Sequence, residues 1–373
     1  MPVSLKMIEK MIEDFSPVRF ACDWDNSGFN INLGHDVDAV LVCLDVTGEI
    51  IEEAVQKKCG LIVSHHPLFF KSLRNIDASA YEGKMAAQLI RRGISLYCAH
   101  TSMDSSPEGI NTHIAGLLGL KNTRFIQPGT VQKFNQIGVY VPQGHEDAVA
   151  RAMGDAGAGM LGNYRDCAYF TQGEGRFRPT EGANPFIGEV GRMEKVAETK
   201  IEAICADNLT ARVVEEMLSA HPYEEAAYYI TELKNSRTAE SGLGVIGDFE
   251  EGITLMEAAK LVKERLHIDH VRVSGEPGKT VKKAGVCGGS AGDLIPMAED
   301  LGADLFITGE VKHSMYVAAD GMALIEAGHF DTEKCFIQLF RQGLQKRANA
   351  LKYNLSIFMT ENQKRPFITL FRD

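Results

Sequence analysis

Short apolar runs recur along the chain, each bounded by turn residues and separated from the next by a stretch of helical periodicity. From residue 40 the order is strand, helix, strand, helix, strand. Residues 40–45 predict a first buried strand and the amphipathic stretch 49–58 a helix. Residues 61–63 predict a second strand, 81–92 a second helix closed by Gly93, and 94–99 a third strand. The first 14 residues mix charged and apolar positions at helical spacing. Strands that are apolar on both faces and alternate with helices indicate a mostly parallel sheet covered on both sides.

The same order returns near the C-terminus. Residues 284–287, 304–308 and 323–327 predict strands, with helices at 293–301 and 313–320. Cys43 and Val63 stand twenty positions apart, and so do Cys287 and Ile307. After the third strand of each set comes a histidine with a carboxylate four residues on: His100 with Asp104, and His329 with Glu333. The repeat reads as an internal duplication, with chance similarity between two α/β segments as the alternative. The predicted fold is therefore α/β, with two related halves forming one domain.

Between the halves the rhythm changes. Strands are expected at 134–141, 164–171, 199–205 and 226–233, and helices at 145–156 and 208–220. The Gly/Pro-rich stretch 173–191 joins the middle strands. This β-α-β-β-α-β order is that of a ferredoxin-like α+β domain. The expected organisation is a first half at 1–126, an inserted domain at 127–235 and a second half at 236–373.

Composition narrows the function. The 373 residues carry a net charge of −11, which argues against a nucleic-acid groove and suits cations. No apolar stretch approaches the ~20 residues of a membrane span, and the first residues lack a secretory apolar region. The eight cysteines form no Cys-x-x-Cys pair and several lie in apolar runs, so a reduced, cytoplasmic setting is expected.

The candidate chemistry sits at strand ends. His65 and His66 directly follow the apolar run that starts at Gly60, and they directly precede Pro67. Neighbouring strand residues point to opposite faces, so a tandem pair converges only where the backbone turns. Taken alone, the dipeptide is equally an ordinary core or surface pair. Ligands of open α/β sheets gather outside the carboxyl ends of the strands, where His100, Asp104, Glu310, His329 and Glu333 also stand. Imidazoles with carboxylates and no thiolate suit zinc, iron, manganese or a similar divalent ion. Five or more such groups exceed what one tetrahedral ion needs, and two ions sharing a carboxylate would use them all. Individually, Asp104 reads as a helix cap and Glu333 as a first-turn charge. The loop Gly288-Gly-Ser-Ala-Gly292 reads either as a phosphate-binding nest or as a tight strand-to-helix turn.

Several of these segments resemble the GTP cyclohydrolase 1 type 2 homologue family, the NIF3-like dinuclear-metal proteins. They are Trp24-Asp-Asn-Ser-Gly28, Val63-Ser-His-His-Pro-Leu-Phe69, Ala99-His-Thr-Ser-Met-Asp104, Thr308-Gly-Glu310 and Gly328-His-Phe-Asp-Thr-Glu333. The middle segment, with His221-Pro-Tyr-Glu-Glu225, resembles the PII/CutA-like insert of the longer, YqfO-like members. The resemblance implies two divalent metal ions per chain held by His65, His66, Asp104, His329 and Glu333. It implies nearby acid/base roles for His100 and Glu310, with His313 also close. It further implies a toroidal homohexamer and a small-molecule substrate such as a nucleotide.

Two functions fit these expectations. The first is a metal-dependent hydrolase that opens a purine ring or cleaves a related bond. The second is a metal-dependent binding or regulatory protein whose insert senses a ligand or partner without turnover.

Overall fold

The strands that carry the histidines are buried because both of their faces are apolar, and that burial determines where the side chains at their ends meet. The computed structural model describes the whole chain except residues 1, 72–74, 130–132, 235–238, 320 and 371–373. The chain divides into two units, one of Met1–Thr130 with Ala239–Asp373 and one of Val131–Thr238. The strand Lys121–Pro128, which the sequence reading cuts at 126, stays whole in the first unit because it pairs along Gly242–Thr254. The expected boundary at 235 lies outside the described residues, as do Met1 of the first expected helix and Asp320 of the 313–320 helix. The described helices there are Leu5–Glu13 and His313–Ala318.

The first unit contains a five-stranded and a six-stranded sheet. In the five-stranded sheet Ala39–Cys43, Leu61–Ser64 and Ser95–Cys98 lie side by side and parallel, with Cys43, Ser64 and Cys98 in register at their ends. In the six-stranded sheet Thr280–Cys287, Leu305–Thr308 and Ala323–Glu326 repeat this arrangement, ending on Cys287, Thr308 and Glu326. An antiparallel strand flanks the third member in each, Gly28–Ile31 in one and Arg272–Ser274 in the other.

On the other flank the halves trade strands. The late strand Ser356–Met359 completes the N-terminal sheet by pairing in parallel with Ala39–Cys43. The early strand Lys121–Pro128 completes the C-terminal sheet. The two halves are thus not separable at 126 and 236.

Strand alternation allots each sheet two cores. Val40, Val42, Leu61 and Val63 share one apolar cluster with Val286, Leu305, Ile307 and Ile325, together with Phe336 and Phe340 of the helix Cys335–Ala350. The intervening residues Leu41, Cys43 and Ile62 face the helices Gly48–Gln56 and Tyr81–Arg92 in a separate cluster. Because the facing sides of both sheets bury against the same material, the carboxyl ends of their central strands open onto one crevice.

The second unit has one antiparallel four-stranded sheet, in the order Tyr228–Leu233, Phe134–Pro142, Glu194–Ala206, Ala168–Phe177. The helices Glu146–Asp155 and Thr210–Ala220 pack over Ile137, Val139, Ile201 and Ala203. The strand expected at 164–171 instead runs over Ala168–Phe177, taking in Gly173 and Gly175. A Cβ on Gly175 would run into the Glu198 carboxylate of the paired strand, so this glycine serves close strand approach rather than a loop.

Candidate metal centre

His65 and His66 extend the Leu61–Ser64 strand by two further pairings, their amides donating to the carbonyls of Cys43 and Leu44 at 3.1 and 3.0 Å. There the chain turns, and the Ser64 hydroxyl donates to the carbonyl of His66 at 2.8 Å. His65 is fully buried, and its Nδ1–H donates to the Ala99 carbonyl at 3.1 Å. A carbonyl only accepts, so this bond fixes the tautomer and leaves Nε2 as a lone-pair donor. Nε2 lies 3.7 Å from Asp104 Oδ1 and 3.7 Å from Glu333 Oε1. His66 is held in the same way, with Nδ1 on Asp45 Oδ1 at 2.8 Å and Nε2 3.0 Å from Glu333 Oε2.

The C-terminal half supplies the opposite wall. His329 and Glu333 open and close one short helix after the strand Ala323–Glu326, and His329 Nε2 lies 3.1 Å from Glu333 Oε2. Asp104 likewise closes the short helix Thr101–Asp104. Neither carboxylate is an N-terminal cap; each stands at the far end of its helix, one turn beyond the histidine.

Two groups of ligand-type atoms result, each with its atoms within 4.8 Å of one another: His65, His66 and His100, and His66, His329 and Glu333. His66 belongs to both. Despite the short distances, Nε2 of His65, Nε2 of His66 and Oε2 of Glu333 are buried without a well-directed hydrogen-bond partner. Buried polar atoms left in this state cost ~1–3 kcal/mol each. A cation that accepts their lone pairs removes the cost, so the donor set fits a divalent metal ion.

The electrostatics of these groups follow from the same crowding. Burial disfavours the charged form of His66, but the Asp45 and Glu333 carboxylates overcome it and push the imidazole up to about 10. His65 is raised against its burial by Asp104 and Glu333. Glu333 is driven well below the usual carboxylate range despite its burial, by His329, His65 and His66. Burial raises Asp104, against the pull of His65 and His100.

His100 is anchored through Asp25. Its Nδ1 meets Asp25 Oδ1 at 2.8 Å, and Asp25 also accepts from the Thr101 amide and hydroxyl and from the Ser27 hydroxyl. Glu310 Oε2 stands 3.5 Å from His329 Nδ1, with its side chain more than half exposed. His313, the first residue of the helix His313–Ala318, is exposed and does not line the cleft.

The Gly288–Gly292 loop is built mainly as a turn against Glu333. The amides of Gly288, Gly289 and Ala291 already donate to Asn111 Oδ1, Thr332 Oγ1 and Thr308 Oγ1. Gly289 has φ +65°, and a Cβ there would strike Glu333 Oε1. The loop is a tight turn that makes room for Glu333.

Sequence reasoning missed the groups that aim these ligands. Asp45 follows the first strand as the histidines follow the second, but one carboxylate at a strand end carries no distinguishing signal. Gln363 accepts the Leu44 amide at 2.8 Å and donates to Asp45 Oδ2 at 3.1 Å, which fixes the Asp45–His66 pair from 318 residues away. Asp25 was within reach, since it lies in the Trp24–Gly28 segment already singled out.

Asp45, His66, His100, Asp104, His329 and Glu333 line a cleft of about 680 Å³, a size suited to a small molecule. The sequence model of a family described as Duf34/NIF3 (NGG1p interacting factor 3) matches residues 3–366. A Bacillus subtilis relative named "GTP cyclohydrolase 1 type 2 homolog" is 36% identical over 373 residues, covering 99% of both chains. A Halalkalibacterium halodurans relative of the same name is 36% identical, covering 96% of both. Among solved structures, a Bacillus cereus protein related to NIF3 superposes with a TM-score of 0.91 at 34% identity, over 99% of this chain and 100% of that one. Staphylococcus aureus SA1388 superposes with a TM-score of 0.78 at 27% identity, over 99% of both chains.

Proposed function

The chain belongs to the Duf34/NIF3 family, and from that premise we propose that it is a metal-dependent hydrolase working through two divalent ions per chain. The observation that carries the reading is the set of buried, unpartnered donor atoms on His65, His66 and Glu333. His65, His66, Asp104, His329 and Glu333 would hold the ions, with zinc, iron or manganese the suitable metals. Such ions supply Lewis acidity and activate water at neutral pH. The reaction class is hydrolysis of a heterocyclic or amide C–N bond, with the ring opening of a purine nucleotide as its reference case.

The chain's own residues do the rest. Asp25 holds the Nδ1–H of His100, which turns the other ring nitrogen to the cleft, where it exchanges a proton with the reacting group. Glu310 steadies His329 and is the second group able to carry a proton. Asp45 and the Ala99 carbonyl keep His66 and His65 in the tautomer that presents Nε2. We read the second unit as a ferredoxin-like, PII/CutA-like domain and the working particle as a toroidal, cytoplasmic homohexamer.

Metal counting together with turnover tests the reading. Full-length protein loaded with zinc, manganese or ferrous iron should hold two ions per chain and hydrolyse at least one member of a panel of nucleotides, nucleosides and small amides. Asp25→Asn should retain both ions while kcat falls roughly 10–100-fold, with KM little changed. Two bound ions and no turnover across the panel would favour the binding or regulatory function over the hydrolase.

A further inference from the structure

Two aromatic rings are held out into solvent at the mouth of the metal cleft. Trp24, the single tryptophan of the chain, is 63% exposed, and Phe70 is 57% exposed. Each stands roughly perpendicular to His100, with ring centroids 6.0 and 5.7 Å from it. Exposing rings of this size forfeits burial, and here the cause is not a loose loop. Neighbouring residues pin both backbones: Asp25 is tied to His100 and Thr101, and Asn26 Nδ2 donates to the Phe69 carbonyl at 2.6 Å. Asn30 Oδ1 accepts the Leu68 amide at 3.1 Å.

The rest of the cleft is acidic. Asp45, Glu82 and Asp293 line it together with the carboxylates of the metal centre, and no lysine or arginine does so among the described residues. Of the glycine loop that would cradle a phosphate, the amides of Gly288, Gly289 and Ala291 already donate to Asn111, Thr332 and Thr308.

We propose that Trp24 and Phe70 form a stacking platform for a planar, uncharged or cationic heteroaromatic ring, and that the site discriminates against a polyphosphate tail. The proposal rests on the metal-centre reading and narrows its substrate to the base or nucleoside rather than the nucleoside triphosphate. Stacking tolerates any base, since each presents a π-face, so specificity for one ring falls to groups deeper in the cleft.

Trp24 supplies its own readout. Metal content is measured first, so that failure to load metal counts against the hydrolase reading and not against the platform. Zinc-loaded protein is then titrated with guanosine, adenosine, cytidine, GTP and inorganic triphosphate while Trp24 emission is followed. At least one nucleoside should quench the emission saturably, GTP should bind no more tightly than guanosine, and inorganic triphosphate should not compete. Phe70→Ala should raise the nucleoside Kd roughly tenfold with metal content unchanged, and Trp24→Leu should do the same by calorimetry. No quenching by any nucleoside, GTP binding more than tenfold tighter than guanosine, or an unchanged Kd in Phe70→Ala would each overturn the proposal.

Discussion

Glu333→Ala is expected to reduce the metal content from two ions per chain to one or fewer and to abolish the stabilisation that metal confers. One carboxylate spans the site: Oε2 lies 3.0 Å from His66 Nε2 and 3.1 Å from His329 Nε2, while Oε1 faces His65. Its removal breaks one of the two ligand groups outright and leaves the buried imidazoles to repel one another. A ligand present at a thousand times its Kd stabilises a fold by ~4 kcal/mol, so the rise in Tm on adding zinc to the parent protein should vanish in the variant. The parent protein should also take up metal more tightly as pH rises. Despite burial, Asp45 and Glu333 push the His66 imidazole up to about 10, and a bound cation must displace the proton this favours. Calorimetry in two buffers of different ionisation enthalpy should therefore detect proton release on metal binding. A variant that retains the full metal complement would refute the placement of Glu333.

The second large effect lies away from the metal. Glu53, on the helix Gly48–Gln56, is buried at 5% exposure and accepts four hydrogen bonds. Lys57 Nζ and the Glu361 amide reach Oε1, while the Thr360 hydroxyl and Asn362 Nδ2 reach Oε2, all within 2.6–3.0 Å. Burial opposes the charge of Glu53, but these donors prevail and lower its pKa from 4.5 to about 2. Glu53→Ala should cost about 3 kcal/mol at neutral pH, read as a lower urea midpoint. Because the folded pKa is depressed, the contribution is complete above the unfolded value and is lost as pH falls from about 4.5 to 2. The gap between parent and variant should close across that window. A gap under 1 kcal/mol, or one that stays constant with pH, would show that the clamp contributes little.

The sequence revealed most where burial was two-sided. Ala39–Cys43, Leu61–Ser64 and Leu305–Thr308 are apolar at nearly every position because each lies between two cores, and an uninterrupted apolar run is easily read. Gly242–Thr254 was harder, since its glycines at 242, 244 and 247 and the acidic residues after them imitate a loop. The strand also shifts register between Asp248 and Ile253. Lys121–Pro128 is polar and largely exposed, so nothing in its composition announces pairing. At the site, His65, His66, His100, Asp104, Glu310, His329 and Glu333 could be picked out because all stand at or just beyond strand ends, and the family resemblance narrowed the expected ligands to five of them. Gln363 could not, because its role exists only through contacts distant in sequence, while Asp25 stood in a segment already singled out without its bond to His100 being foreseen.

The exchanged strands set an order of events during synthesis. Asp45, Glu53 and His66 leave the ribosome early, but Gln363, which holds Asp45 on His66, and the Thr360–Asn362 clamp on Glu53 come some 300 residues later. The strand Ser356–Met359 must add to a sheet whose other members were made long before. A nascent chain stalled before residue 356 therefore leaves Ala39–Cys43, the neighbour of the histidine-bearing strand, as an open sheet edge, with no clamp on Glu53 and no Gln363 on Asp45. The aim of the Asp45–His66 pair is thus completed only when the last strand and the segment after it are in place.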